Sequence, residues 1–313
     1  MTHFWQALAT ALAEGPVALA TVVTSQGSTP RQGGARMLIT PSGQWVGTIG
    51  GGAAEAKVIV AAAQVMQTGK AQVLDIDLWG NPQQLRDGIC GGTMRLWVQY
   101  LDAQTFTLVS TIKHIHQQLS QGQAVPIVCQ LHGEFPIALT AKDPFPSQEF
   151  FVEQLWPPPV LLVVGAGHVG RALSHLASGL GWQMIVYDDR PSWLAADALP
   201  EGTRCFPFLS HALDTFYAWQ GPRWVALVTR GLPQDLHTLG ELKDGFARLD
   251  YLGILGSRKR ISTLRQVYDQ HHGSPLPEEI LHAPIGLEIG AETPEEIAVS
   301  IVAELIGHWR GHD

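Results

Sequence analysis

An apolar run meets a glycine fingerprint at Val160-Leu-Leu-Val-Val-Gly165-Ala-Gly167-His-Val-Gly170, and a helical pattern opens directly over it. A lone G-x-G-x-x-G serves equally well as a bare turn. Strand, fingerprint and helix in this order specify a dinucleotide site. Gly165 allows the tight turn, Gly167 lets the backbone approach a pyrophosphate, and Gly170 lets helix and strand pack closely. The helix start, with His168 and Val169, offers free N–H groups and a positive dipole to phosphates. The next strand, read over Gln183-Met-Ile-Val-Tyr-Asp188-Asp189-Arg190, ends in acid at about the 20-residue distance where an acid holds a ribose hydroxyl. Arg190 follows: an arginine there either accepts a 2′-phosphate or is a surface residue before Pro191, so NAD and NADP both stay open.

At 313 residues the chain is long enough for one large or two medium domains, and 45% hydrophobic content supports real cores. Charged residues make up only 15%, which suggests surface covered by a partner; a homodimer is expected. A formal net charge of −8 with no basic stripe argues against a nucleic-acid partner. No basic segment followed by an apolar core opens the chain, which predicts no secretory leader. No apolar run approaches a membrane span. Cys90, Cys129 and Cys205 are scattered, so neither a zinc site nor a disulfide framework follows. A cytoplasmic location with reduced thiols is the simplest expectation.

The fold class expected is α/β, an N-terminal mixed α/β domain followed by a C-terminal Rossmann-like, doubly wound parallel sheet. The boundaries expected are 1–150 for the first domain, 151–159 for a proline-rich linker ending in Pro157-Pro158-Pro159, and 160–313 for the second. In the first domain a helix carries Phe4, Trp5, Leu8 and Leu12, and an alanine-rich helix runs from about Ala53 to Gln67. Strands are read at Val17–Thr24, Ala35–Thr40, Gln44–Ile49, Gln72–Leu78 and Met94–Tyr100, with a hairpin near Val125–Leu139. The second domain alternates strands and helices, the pattern of a parallel sheet. Thr293, Pro294 and Glu296 mark a helix start with a capping box.

Other stretches can carry chemistry. Gly50-Gly51-Gly52 before a helix is costly in chain entropy, and suits an anion nest of consecutive N–H groups. Glu55 lies in the first turn of that helix, where it either caps the dipole or accepts two hydrogen bonds from the edge of a pterin or guanine. Ser28, Thr29 and Arg31, in a loop with Gly27, Gly33, Gly34 and Arg36, suit a phosphate or carboxylate. Cys90 sits in Gly-Ile-Cys-Gly-Gly, where an approachable thiol favoured as thiolate competes with the reading of a small buried residue. Cys129 and Cys205 lie in apolar strands and are read as core. Thr229 and Arg230 close the fourth strand of the second domain, and Ser257 and Arg258 the fifth, at the carboxyl ends where ligands bind in open sheets; the basic cluster at 256–260 either meets phosphates or is a helix-initiating surface patch. His271-His272 is read as a solvent-facing loop. The motifs of zinc and serine hydrolases are missing from the sequence.

Taken together and in order, these stretches resemble the xanthine dehydrogenase accessory factor family of the XdhC/CoxI type. They are Gly-Ser-Thr-Pro-Arg (27–31), Gly-Ala-Arg-Met (34–37), Gly-Thr-Ile-Gly-Gly-Gly (47–52) with Glu55, and Cys-Gly-Gly (90–92). Gly-Ala-Gly-His-Val-Gly (165–170), Asp-Asp-Arg-Pro (188–191), Gly-Ser-Arg (256–258) and Pro-Ile-Gly-Leu-Glu-Ile-Gly-Ala-Glu-Thr-Pro-Glu-Glu-Ile-Ala (284–298) complete the set. The resemblance runs over nearly the whole chain. It implies a chaperone that binds the molybdenum cofactor (molybdopterin), protects its sulfurated form and inserts it into an apo molybdenum hydroxylase such as xanthine dehydrogenase, with a cysteine desulfurase supplying the sulfur. It assigns Ser28, Thr29, Arg31, Gly50, Gly51, Gly52, Glu55 and Cys90 to the cofactor, with Cys90 as a candidate molybdenum ligand. One departure stands out: where the family pattern carries a histidine after Thr-Arg-Gly, this chain has Leu232, while Asp235 remains. No turnover chemistry is expected. The rival readings are an NAD(P)-dependent oxidoreductase, for which His168 and Asp235 are the only proton-donor candidates, and a nucleotide-sensing regulator.

Overall fold

The computed structural model describes residues 2–78, 91–105, 107–132, 136–139 and 150–311. The chain divides into two compact units, Met1–Trp156 and Pro157–Asp313.

In the first unit, α1 (Thr2–Glu14) is followed by β1 (Val17–Gly27), β2 (Arg36–Ile39), β3 (Trp45–Gly47), α2 (Gly52–Thr68), β4 (Gln72–Asp77) and β5 (Gly92–Leu101). The strands form one antiparallel sheet in the order β3-β2-β1-β5-β4. Successive side chains of a strand point to opposite faces, and β1 uses this fully. Leu19 packs with Trp5, Leu8 and Leu12 of α1, while Ala18 and Ala20 pack with Val58, Ala61, Ala62 and Val65 of α2. Small residues on both sides let the alanine-rich helix lie close to the sheet. Beyond it come α3 (Leu108–Ser120), β6 (Val125–Gln130), β7 (Ile137–Leu139) and β8 (Phe150–Leu155), whose strands form a second antiparallel sheet, β7-β6-β8.

Phe150–Leu155 corrects the expected boundary: it is a strand paired with β6 from Val125↔Leu155 to Gln130↔Phe150, so 151–155 belong to the first unit and not to a linker. Glu153 on β8 forms an ion pair at 2.5 Å with Arg36 on β2, a side chain buried beneath the Trp5 ring. That pair joins the two sheets. Cys129 on β6 is fully buried, and burial pushes its thiol up despite the nearby Arg36 guanidinium. It is the core residue the sequence implied; Cys205 is only half-buried.

The second unit runs β9 (Val160–Val164), α4 (His168–Gly179), β10 (Gln183–Tyr187), β11 (Arg204–Phe206), α5 (Leu209–Tyr217), β12 (Arg223–Leu227), α6 (Leu232–Leu242), β13 (Tyr251–Ile254), α7 (Arg258–His272), β14 (Leu281–His282) and α8 (Pro294–Arg310). All six strands are parallel, in the order β11-β10-β9-β12-β13-β14. Helices cover both faces, which is why β9 reads as an unbroken apolar run and is buried at every position. His271 and His272 end α7 and are not a loop. Thr293 caps α8 with the full capping box: its hydroxyl accepts from the Glu296 N–H, and Glu296 accepts from the Thr293 N–H. Ala298, Ile301 and Leu305 of α8 then pack with Leu161 and Val163 of β9 and Leu173 and Ala177 of α4.

Ile301 has no solvent exposure. Ile301→Ala is expected to lower the unfolding free energy of the second unit by about 2–5 kcal/mol, read by denaturant titration. Val299→Ala, on the exposed face of the same helix, should stay within about 0.5 kcal/mol of the parent.

Candidate functional site

The parallel sheet reverses its direction of winding at β9. The chain steps outward to β10 and β11, then returns to lay β12 on the other side. Ligands in such sheets bind beyond the carboxyl ends of the strands at this switch. A cavity of about 620 Å³ lies there, lined by Gly165, Gly167, His168, Val169, Tyr187, Asp188, Asp189, Arg190, Trp193, Thr229, Arg230, Gln234, His237 and Pro294 among others. That volume suits a ligand of dinucleotide size.

The glycines do what the fingerprint requires. Gly165 has φ +111°, and a Cβ there would lie 2.7 Å from the Val228 carbonyl. A Cβ at Gly170 would overlap the Gly165 carbonyl. A Cβ at Gly167 would meet nothing within 4 Å, so only its hydrogen separates the backbone from the cavity.

The acids at the end of β10 are held differently from the expectation. Asp188 is 3% exposed and accepts four hydrogen bonds. Oδ1 takes the Arg190 N–H at 3.0 Å and Arg190 Nε at 2.8 Å; Oδ2 takes the Ala166 N–H at 2.8 Å and Arg190 Nη2 at 2.9 Å. Burial opposes its charge, but the Arg190 guanidinium and the amides of Ala166 and Arg190 outweigh it and hold the carboxyl below the ordinary aspartate range. Asp189 is bound by both Nη atoms of Arg230, at 3.0 and 2.8 Å. Two arginines lie over the Trp193 ring, Arg190 at 4.4 Å and Arg171 at 5.0 Å from its centroid. His168 meets the same ring edge-on at 6.0 Å. The sequence reading missed Trp193 and Asp189; an aromatic five positions past the strand-end acid was the signal available.

On the β12 side, the Thr229 hydroxyl donates to Asp235 Oδ1 at 2.6 Å, and Arg260 donates to Asp235 Oδ2. Asp235 is fully buried, and burial pushes its carboxyl up beyond what Thr229 and Arg260 offset. It is absent from the cavity lining and instead fixes the turn from β12 into α6. Of the two readings of the 256–260 cluster, phosphate contact or a helix-initiating surface patch, the structure bears out the second: Ser257 and Arg258 do not line the cavity. Ser257 caps α7 by accepting from the Arg260 N–H, and Arg258 points to Glu288 on the surface.

In the first unit, three glycine-bearing stretches converge at one end of the sheet. Gly27 and Gly92 pair between β1 and β5. The Ser28 N–H donates to the Gly91 carbonyl at 3.3 Å, and a Cβ at Gly92 would lie 2.7 Å from the Ser28 carbonyl. A Cβ at Gly50 would overlap the Pro30 ring. Ser28 and Arg31 are exposed beside this junction, and the Thr29 hydroxyl donates to the Arg31 carbonyl at 3.0 Å. Gly50, Gly51 and Gly52 all have positive φ, at 126°, 83° and 61°.

The three-glycine turn is not an open nest, which corrects the first reading of Glu55. Oε1 of Glu55 accepts from the Thr48 hydroxyl at 2.5 Å, the Gly51 N–H at 3.0 Å and the Ile49 N–H at 3.3 Å. Burial would raise its pKa, but these donors hold it below the ordinary range. Glu55 thus clasps its own loop. Cys90 lies outside the described residues. Among the described residues, no group of three or more His, Cys, Asp or Glu side chains is placed to hold a metal ion, and no helix is long and apolar enough to cross a membrane.

Residues 161–305 match the family model described as the XdhC Rossmann domain, and residues 11–77 the model of the XdhC and CoxI family. The chain is 30% identical over 93% of its length to the uncharacterized protein YqeB of Escherichia coli (strain K12), of which it spans 43%. It is 28% identical to a Bacillus subtilis (strain 168) protein named as a probable xanthine dehydrogenase component, covering 92% of each chain. It is 24% identical to the molybdenum cofactor insertion chaperone PaoD of Escherichia coli (strain K12), over 92% of this chain and 81% of that one. The crystal structure of a xanthine dehydrogenase from Bacillus halodurans superposes with a TM-score of 0.81 at 26% identity, covering 100% of this chain and 96% of the other.

The lowered pKa of Asp188 sets an acid limit. The stability it contributes is complete above the unfolded aspartate pKa and is lost as the pH falls through the lower folded value. Unfolding free energy measured against pH should therefore drop more steeply below about pH 4 in the parent than in Asp188→Asn. The open space at Gly167 means that Gly167→Val should keep the parent circular dichroism and melting behaviour.

Proposed function

The chain belongs to the XdhC and CoxI family, and on that premise we propose that it is a maturation factor: it binds the molybdenum cofactor, protects its sulfurated form and inserts it into an apo molybdenum hydroxylase of the xanthine dehydrogenase kind. The names of its relatives point the same way, one a probable xanthine dehydrogenase component, the other a molybdenum cofactor insertion chaperone. The observation that carries the assignment of the cargo to the first unit is the convergence of the 27–31, 47–52 and 91–92 stretches.

The chemistry follows from what that junction offers. A pterin with its phosphate is flat, anionic and rich in amide-like donors and acceptors. Arg31 supplies a planar cation for the phosphate, and the exposed Ser28 supplies a neutral hydroxyl donor. Glu55 keeps the Thr48–Gly52 turn in shape from inside, so the loop is ordered before cargo arrives and binding pays little for ordering it. Cys90, next in sequence to Gly91, is the soft ligand for a metal centre or a transferred sulfur. A cysteine desulfurase is the proposed sulfur source, a homodimer the proposed assembly, and the cytoplasm the proposed compartment. The second unit is proposed to bind a nucleotide at the Gly165–Gly170 loop; the cavity volume and the bare backbone at Gly167 support it.

A chaperone is expected to carry cargo without turning it over. Protein purified from a host that makes the cofactor should retain molybdenum and pterin in equal amounts. Arg31→Ala and Cys90→Ser should each lower retention at least fivefold and stop activation of a partner apo-dehydrogenase. Cys129→Ser should alter only thermal stability. Retention unchanged in both Arg31→Ala and Cys90→Ser would remove the cargo from this junction.

A further inference from the structure

In a dinucleotide site of this fold, the acid at the end of the second strand accepts hydrogen bonds from the adenosine ribose. Asp188 holds that place, but it has nothing left to offer. A carboxylate has about four lone-pair sites, and all four are taken: two by Arg190 on Oδ1, one by Arg190 on Oδ2, and one by the Ala166 N–H. A ribose hydroxyl would have to displace either a glycine-loop amide or one arm of a bidentate, charge-assisted pair.

Arg190 is in the opposite state. Of its five N–H donors, the Nε donor and one on Nη2 are used, and Nη1 carries no hydrogen bond among the described residues. Its side chain is 35% exposed, lines the cavity, and lies over the Trp193 ring with its guanidinium carbon 4.4 Å from the ring centroid. A planar guanidinium can bridge Asp188 on one edge and a phosphate on another without leaving either. The surroundings favour an anion as well. Arg171 lies over the same indole, and Arg230 keeps the neighbouring Asp189 occupied. Three guanidiniums thus answer two carboxylates at this corner.

We propose that the cleft of the second unit selects a dinucleotide carrying a phosphate on its adenosine ribose, and that Arg190, stacked on Trp193 and braced by Asp188, is the residue that reads that phosphate. The inference rests on the reading of this cleft as a nucleotide site. Asp188 is then a positioning residue for Arg190 and for the glycine loop, and it becomes a ribose acceptor only when Arg190 is removed.

The test is calorimetric titration of the full-length chain with NADP and with NAD at matched ionic strength. NADP is expected to bind at least tenfold tighter. Arg190→Ala should weaken NADP at least tenfold and tighten NAD at least threefold, because one acceptor site on each Asp188 oxygen, now held by Arg190 Nε and Nη2, is released to the ribose diol. A merely structural role for Arg190 would weaken the two ligands equally, and that result overturns the proposal. Arg190→Lys keeps the charge without the bidentate edge and should cut the NADP-to-NAD affinity ratio at least threefold; an unchanged ratio overturns it as well. NAD binding as tightly as NADP to the parent does the same. Absence of binding by either nucleotide overturns both this proposal and the nucleotide reading of the cleft, yet leaves molybdenum and pterin retention to decide the maturation reading separately.

Discussion

The carboxylate of Asp188 is the joint on which the second unit's cleft depends. It ties the Ala166 amide of the glycine loop to the end of the neighbouring strand, and it fixes Arg190 over Trp193. Asp188 alone would be a buried carboxylate without a match. Together it and its partners satisfy one another, which makes the loop rigid where a ligand's phosphates would approach. Removing Arg190 would leave the buried Asp188 carboxylate with two backbone amides as its remaining donors. Glu55 performs the same task in the first unit, on the turn from Thr48 to Gly52. In both units a glycine-rich turn ahead of a helix is held by an acid from the chain itself, so the turn is shaped without waiting for a ligand.

Much of the second unit was legible in its sequence because its strands are buried on both faces. Burial on both sides leaves continuous apolar runs, and parallel strands demand long helical crossovers between them, so Val160–Val164 and its successors announce themselves. The α8 cap was legible for a different reason: Thr293, Pro294 and Glu296 satisfy local backbone groups, and local rules need no knowledge of the tertiary fold. Phe150–Leu155 was hidden because Phe-Phe-Val-Glu-Gln-Leu alternates poorly, and the prolines after it draw the eye. What makes it a strand is its pairing with β6 and the burial of Glu153 against Arg36, a partner 117 residues away.

The site was legible as a place more than as a set of roles. Spacing finds Gly165, Gly167 and Gly170 because backbone conformation depends on the residue itself. Spacing cannot tell a ribose acceptor from a carboxylate already saturated by Arg190, since that depends on which way two side chains turn. Glu55 is the same case: a first-turn acid is expected from the dipole alone, but clasping Gly51 and Ile49 requires the loop to fold back over it. Ser257 and Arg258 sit at the right end of the right strand, yet helix capping and a surface ion pair claim them.

The packing of α8 has a consequence for how the protein is made. Leu161 and Val163 of β9 share a core with Ile301 and Leu305 of α8, some 140 residues later in the chain. During vectorial synthesis the fingerprint strand and its helix emerge early, and their apolar faces wait uncovered until the ribosome has passed residue 305. For that interval Leu161 and Val163 stand without their last apolar partners, so the oldest part of this core is completed by the helix made last.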